Sequence, residues 1–243
     1  MELRFLKLSD SQNIVNVESV HYSNDGTVTL KLSDKRELKL AAEVWSGLEQ
    51  PRDNPLTDSQ QEILEREACY TMIQNKMLSF LAVREHSAQE LRRKIKQRFF
   101  KIATCDVSAL VERCLQEMQE RDFQSDERFA RRFTESKLSN KPYGPFKILQ
   151  DLQRRGIFRE QAQAVLNEFG NQGFWLKKAV DCLVLLQKNK KIQTPEALSQ
   201  KLYQRGFSRE TIEHALKEYQ IIEAQSDAGE FDPVPEVLTT ENP

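Results

Sequence analysis

The 243-residue chain has few residues that break regular structure: eight glycines and eight prolines are all that punctuate it. Aromatic residues are scarce too, at 8%, against 39% hydrophobic and 30% charged. That balance argues against one thick globule and for long helices bathed in solvent. The four cysteines, Cys69, Cys105, Cys114 and Cys182, form no C-x-x-C pair and lie in or beside apolar helical patterns. They read as small core residues of a reducing compartment. The longest apolar run, Cys182 to Leu186, is far below a membrane span, and the first residues, MELRFLKLSDSQN, hold no stretch long enough for a signal peptide. A cytosolic monomer with no membrane contact is expected.

Catalytic signatures are missing as well. The chain has no G-x-x-x-x-G-K-[ST] phosphate loop, no G-x-S-x-G elbow and no H-E-x-x-H pair. Its three histidines, His21, His86 and His214, fall in an expected strand, at a helix end and in a terminal helix, without metal-ligand spacing to cysteine or carboxylate. Surface or packing positions account for them. The carboxylates are scattered on helix faces opposite Lys or Arg, as ion-pair dressing requires and a general acid-base pair does not. No enzymatic activity, metal or cofactor is expected; the chain reads as a protein that binds another macromolecular surface.

The formal net charge of -1 hides a segregation of sign. Residues 1–65 hold 7 basic and 12 acidic side chains, residues 66–160 hold 20 and 13, residues 161–220 hold 9 and 6, and the last 23 residues hold none and 6. A basic body between acidic ends suits a polyanion or an acidic protein. Solvated helices that simply carry many charges would look similar.

From Ile14 to Leu40 the pattern alternates like strands, with Asn24-Asp25-Gly26 as a hairpin signal and a further turn at Ser33-Asp34-Lys35. Residues 50–59, QPRDNPLTDS, with two prolines and no periodicity, look like a linker. From about Gln60 to Gln220 the spacing is helical. Val107, Leu110, Val111, Cys114, Leu115 and Met118 make one stripe; Ala162, Val165, Leu166 and Phe169 make another; Ile212, Ala215, Leu216 and Tyr219 make a third. Ser87-Ala88-Gln89-Glu90 is a capping box, and Thr194-Pro195-Glu196 and Gly144-Pro145 mark further helix starts.

An internal repeat underlies two of these stripes. Arg155-Gly156-Ile157-Phe158-Arg159-Glu160 returns fifty residues later as Arg205-Gly206-Phe207-Ser208-Arg209-Glu210, with Gly156 and Gly206 at helix C-termini. A weaker first copy aligns Leu91, Ile95 and Arg98 with Ile148, Leu152 and Arg155, with Phe99 where the others have glycine. The expected fold is therefore mainly α: three tandem three-helix repeats in an elongated curved array behind a small β-rich segment. The expected boundaries are a β-rich segment at 1–50, a linker at 51–59, repeats at 60–123, 124–171 and 172–220, and an acidic disordered tail at 221–243.

The basic residues are the candidate binding groups. Arg128, Arg131 and Arg132 cluster at spacings of three and four, away from Phe129, Ala130 and Phe133. Such like charges repel unless something compensates them, which points to a partner outside the chain. Lys147 and Arg154 lie on the solvent side of the next helix, and Arg92, Arg93 and Lys96 surround the Leu91/Ile95 stripe. Trp175 and the phenylalanines at 80, 99, 100, 129, 133 and 146 read as core or packing between repeats rather than as stacking platforms.

Asp126-x-x-Phe129-Ala130-x-x-Phe133, followed by Gly144-x-x-Lys147-Ile148-x-x-Asp151-Leu152-x-x-Arg155-Gly156-Ile157, resembles the most characteristic stretch of the RecX family. Arg84-x-x-Ser87-x-x-Glu90-Leu91 resembles that family's first-repeat signature. With the third copy, the similarity covers about residues 66 to 220. The chain departs from the pattern at Phe99-Phe100, where the family has a small residue, and residues 1 to 55 lie outside the motifs. The resemblance implies a regulator of the RecA recombinase that binds its nucleoprotein filament along the groove. It implies that such a protein restrains filament growth, strand exchange and stimulated repressor cleavage, without catalysis of its own. Arg92, Arg93, Lys96, Arg128, Arg131, Arg132, Lys147 and Arg154 are the expected contacts to the recombinase filament or its single- or double-stranded DNA. Two other readings stay open: direct nucleic-acid binding by helix-turn-helix-like units, and an adaptor for an unrelated acidic protein.

Overall fold

A computed structural model of the chain describes residues 14–48, 55–100, 105–140, 142–187 and 194–227. It divides into two units, residues 1–129 and 130–243. Among the described residues there are three strands and ten helices, a mainly helical fold behind a small sheet.

In the first unit, β1 (Val17–Tyr22), β2 (Thr27–Leu32) and β3 (Glu37–Ala41) form an antiparallel meander in sequence order. Gly26 and Lys35 take the left-handed conformation that the two turns demand. Alternation sends Val28, Leu30, Leu32, Leu38 and Leu40 to one face, where they bury with Val15 and with Trp45 of α1 (Ala42–Gly47). Three strands alone bury too little to stand. The same core is completed by Leu56 and by Leu64 and Ala68 of α2 (Asp58–Leu81), so the β-rich segment is not separate from the helices.

This changes the expected linker. Residues 51–54 lie outside the described residues, but Leu56 is buried and its N–H donates to Val15 O at 2.8 Å, while Thr57 caps α2 in a reciprocal box with Gln60. The far half of α2 turns to a second core. Cys69, Tyr70, Ile73 and Met77 pack there against Ala88, Leu91, Ile95 and Phe99 of α3 (Ala88–Phe99) and Leu110, Val111, Cys114, Leu115 and Met118 of α4 (Val107–Glu120). Serving two cores explains why Glu67 through Thr71 are buried on every side of the helix. The cysteine thiols are free; those of Cys69 and Cys105 are in contact, and Cys114 faces Met77.

The second unit holds most of α5 (Asp126–Asn140), whose first turn belongs to the first unit, together with α6 (Pro145–Gln153), α7 (Arg159–Phe169), α8 (Gln172–Gln187), α9 (Pro195–Gln204) and α10 (Arg209–Asp227). The sequence repeat is repeated in backbone bonds. Gly156 N bonds Gln153 O and Ile157 N bonds Leu152 O; fifty residues on, Gly206 N bonds Tyr203 O and Phe207 N bonds Leu202 O. Both glycines sit at φ near +85°, at 85° and 86°, in one kind of left-handed helix end that ties off the last carbonyls. Ile157 and Phe207 then drop back onto the buried Leu152 and Leu202.

The two motifs also meet a neighbouring helix start. Gly144, the N-cap of α6, has no side chain to cap with, and instead Gly144 N donates to Arg205 O at 2.8 Å and Phe146 N to Gly206 O at 3.1 Å. Orphan carbonyls of α9 thus satisfy orphan amides of α6. The helix α10 continues to Asp227, so residues 221–227 of the expected tail are helical, and 228–243 lie outside the described residues.

Candidate cationic interface

The helix α3 begins at Ser87, whose hydroxyl accepts from Glu90 N at 3.1 Å. Its buried residues Ala88, Leu91, Ile95 and Phe99 recur at three and four, which turns Gln89, Arg93, Lys96 and Gln97 to solvent. The helix carries five cations, Arg92, Arg93, Lys94, Lys96 and Arg98, against one carboxylate, Glu90. That carboxylate is occupied: both terminal nitrogens of Arg84 reach Glu90 Oε2 at 3.2 Å, and His86 Nδ1 lies 3.0 Å from the same oxygen. The first-repeat residues Arg84, Ser87 and Glu90 are therefore a capping network. Arg92 is held by Glu112 of α4 at 2.8 to 2.9 Å. Among the described residues, Arg93, Lys96 and Arg98 have no carboxylate partner.

The α5 arginines behave differently. The Nε of Arg128 donates to Glu85 Oε1 at 2.5 Å, Nη1 to Asp122 Oδ1 at 2.8 Å, and Nη2 to the carbonyls of Asp122 and Phe123 at 3.0 and 3.2 Å. Its side chain is 34% exposed. Asp122 stands at φ 55°, so the guanidinium pins a left-handed turn that ends α4. Gln124 and Asp126 tie the same region to His86 O and Ala88 N. In the second unit, Arg131 grips both oxygens of Glu168 with Nε at 2.8 Å and Nη2 at 3.1 Å, which holds that carboxyl below its usual pKa. Only Arg132 reaches out, 72% exposed, with Glu135 at 3.1 Å. Lys147 and Arg154 share Asp151 at 3.5 and 3.8 Å. Carboxylates of the chain itself compensate Arg128, Arg131 and Arg132, so these like charges do not by themselves require a partner outside the chain.

Arg128→Glu should therefore lower stability by about 2 to 4 kcal/mol, since charge-assisted bonds are lost and three carboxylates are brought together. Arg132→Glu should stay within about 0.5 kcal/mol of the parent. Urea unfolding of both variants checks this; equal midpoints would mean that Arg128 is an ordinary solvated charge.

Two aromatic expectations are corrected. Phe99, Phe129 and Trp175 are buried and Phe80 and Phe133 half-buried, but Phe100 and Phe146 are exposed. Phe100 follows the inward-facing Phe99 directly, and Phe146 precedes the buried Ile148 by two, so helical geometry turns both outward. His86 is buried against Phe80, whereas His21 and His214 are exposed. Among the described residues, no three potential ligands gather to hold a metal, and no helix is long and apolar enough to cross a membrane.

The family model for the second three-helix domain of RecX matches residues 125–166, the span of α5, α6 and most of α7. Regulatory protein RecX of Prosthecochloris aestuarii is 29% identical over 144 residues, which cover 59% of this chain and 91% of that one. Its counterpart in Salmonella heidelberg is 36% identical over 111 residues, covering 44% and 66%. The chain belongs to the RecX family. Solved RecX structures share the fold: a crystal structure of regulatory protein RecX aligns with a TM-score of 0.64 at 18% identity over 83% of this chain and 98% of that one. The structure of RecX from Lactobacillus salivarius aligns with a TM-score of 0.54 at 18% identity over 63% and 97%.

Within this RecX-family chain, the sequence missed one grouping of cations. The ammonium groups of Lys76 on α2 and Lys94 on α3 each lie 4.7 Å from the centre of the Phe80 ring. Lys76 and Phe80 are visibly one turn apart in the sequence, but nothing in it announces that Lys94 arrives from another helix.

Proposed function

We propose that this RecX-family chain is a cytosolic, non-enzymatic regulator that binds the nucleoprotein filament of a RecA-type recombinase and restrains it. Family membership and the relatives' designation as regulatory proteins support this reading. The observation that carries it to particular residues is the solvent face of α3, where Arg93 and Lys96 stand without carboxylate partners among the described residues. These two are the primary contacts, with the exposed Arg132 as a further one. Arg92, Arg128, Arg131, Lys147 and Arg154 already hold carboxylates and would join only by exchanging partners. The same unpaired cations favour direct nucleic-acid binding as the second reading, since phosphate backbones take such charges without further design.

Titrating the chain into a strand-exchange reaction should slow it in proportion to filament occupancy. Unimpaired exchange at saturating occupancy would refute restraint while leaving binding intact.

A further inference from the structure

We infer that Lys76 and Lys94, flanking the Phe80 ring between α2 and α3, form a subsite for the phosphodiester backbone of a nucleic acid. Both ammonium nitrogens lie 4.7 Å from one ring centre, so they are no more than twice that distance apart. Each is attracted to the ring's negative face, yet the ring carries no net charge and neutralises neither. Neither lysine has an ion-pair partner among the described residues. The carboxylate one turn before Lys94, Glu90, is engaged by Arg84 and His86. Arg98 follows Lys94 by four residues on the same side of α3 and extends the line of positive charge.

The neighbouring His86 ring packs on Phe80 at 5.8 Å between centroids. Burial above all, with smaller contributions from the charges of Arg84 and Lys94, lowers its pKa against the opposing Glu90 contact.

The chemistry favours phosphate over an acidic protein surface. Lysine is depleted from the buried centres of protein interfaces, where its ammonium must be stripped of water. A phosphate backbone instead gains by releasing condensed counterions, and takes lysines as point charges on adjustable stems. Lys76 and Lys94 lie outside the contacts proposed above for the filament. Their first test uses DNA alone, so it does not depend on that reading.

The experiment is fluorescence anisotropy of a labelled oligothymidylate titrated with the full chain at several salt concentrations. For Lys76→Gln/Lys94→Gln the log-log salt slope should become shallower by about 1.4, at about 0.7 per lost single-strand phosphate contact. Affinity at 0.1 M salt should fall by about 25-fold, taking 1 M as the salt at which the electrostatic part vanishes. The charge-keeping pair Lys76→Arg/Lys94→Arg should retain the parent slope, which separates charge from folding. Lys177→Gln/Lys217→Gln removes two exposed lysines elsewhere and should change neither quantity. An unchanged slope in the first variant overturns the inference, as does an equal loss in the last one, which would make the effect one of general basicity. Filament binding by the same variants is scored separately. If Lys76→Gln/Lys94→Gln weakens filament binding while oligonucleotide binding is untouched, the lysines face recombinase carboxylates and the phosphate subsite is wrong. If oligonucleotide binding depends on the lysines but the parent binds no filament, the subsite stands and the filament reading falls.

Discussion

Gly206→Ala should destabilise the second unit by about 3 to 5 kcal/mol. The left-handed backbone at φ +86° costs an L-residue about 1 to 2 kcal/mol. A Cβ there would also lie 2.3 Å from Lys147 N and 2.8 Å from Lys147 Cα, which are backbone atoms and cannot swing aside. Relieving that overlap parts the α9 end from the α6 start and breaks the Gly144–Arg205 and Phe146–Gly206 bonds, at about 0.5 to 1.5 kcal/mol each. Gly26→Ala is the internal control: it has a similar φ of +78° but open space around the missing Cβ, so it should lose only the conformational part, about 1 to 2 kcal/mol. Chemical denaturation of the two variants measures the difference. Equal losses would mean that the close approach of the two turns contributes nothing.

Arg93→Glu/Lys96→Glu should reduce filament affinity by at least about tenfold at 0.1 M salt and flatten its salt dependence. The fold should be untouched, because both residues project from the side of α3 opposite Leu91 and Ile95, and glutamate favours a helix as well as lysine does. Reversing Arg128, Arg131 and Arg132 together would not isolate binding. Arg128 and Arg131 hold Glu85, Asp122 and Glu168, so lost binding would be mixed with lost folding. Unchanged filament affinity in the folded Arg93→Glu/Lys96→Glu variant would move the binding surface off α3.

Features with short-range signals were legible in the sequence. The Asp25-Gly26 hairpin, the Ser87, Thr194 and Gly144-Pro145 helix starts and the paired Gly156 and Gly206 motifs all stand where residue chemistry places them. The six-residue α1 was missed because it is too short to display a helical period. Leu56 read as part of a linker because a lone apolar residue among prolines and polar residues has no pattern; its burial depends on Val15, far back in the chain.

The candidate site was less legible for the same reason. Spacings of three and four reveal neighbours on one helix, so Arg128, Arg131 and Arg132 showed up as a cluster. Their carboxylate partners lie elsewhere in the sequence, Glu85 at a separation of 43 residues and Glu168 at 37. Charge balance around a side chain is a tertiary property, and among the described residues it leaves cations without carboxylate partners on α3 where those of α5 are paired. The Phe80 ring with its two lysines is another product of helix packing.

The most direct measurement compares equilibrium binding of the full chain to three ligands under one salt condition: single-stranded DNA alone, the recombinase alone, and the assembled nucleoprotein filament. The filament should bind more tightly than either component, and Arg93→Glu/Lys96→Glu should erode this preference. Binding to the filament no tighter than to bare DNA would contradict a filament regulator and leave a nucleic-acid-binding protein in its place.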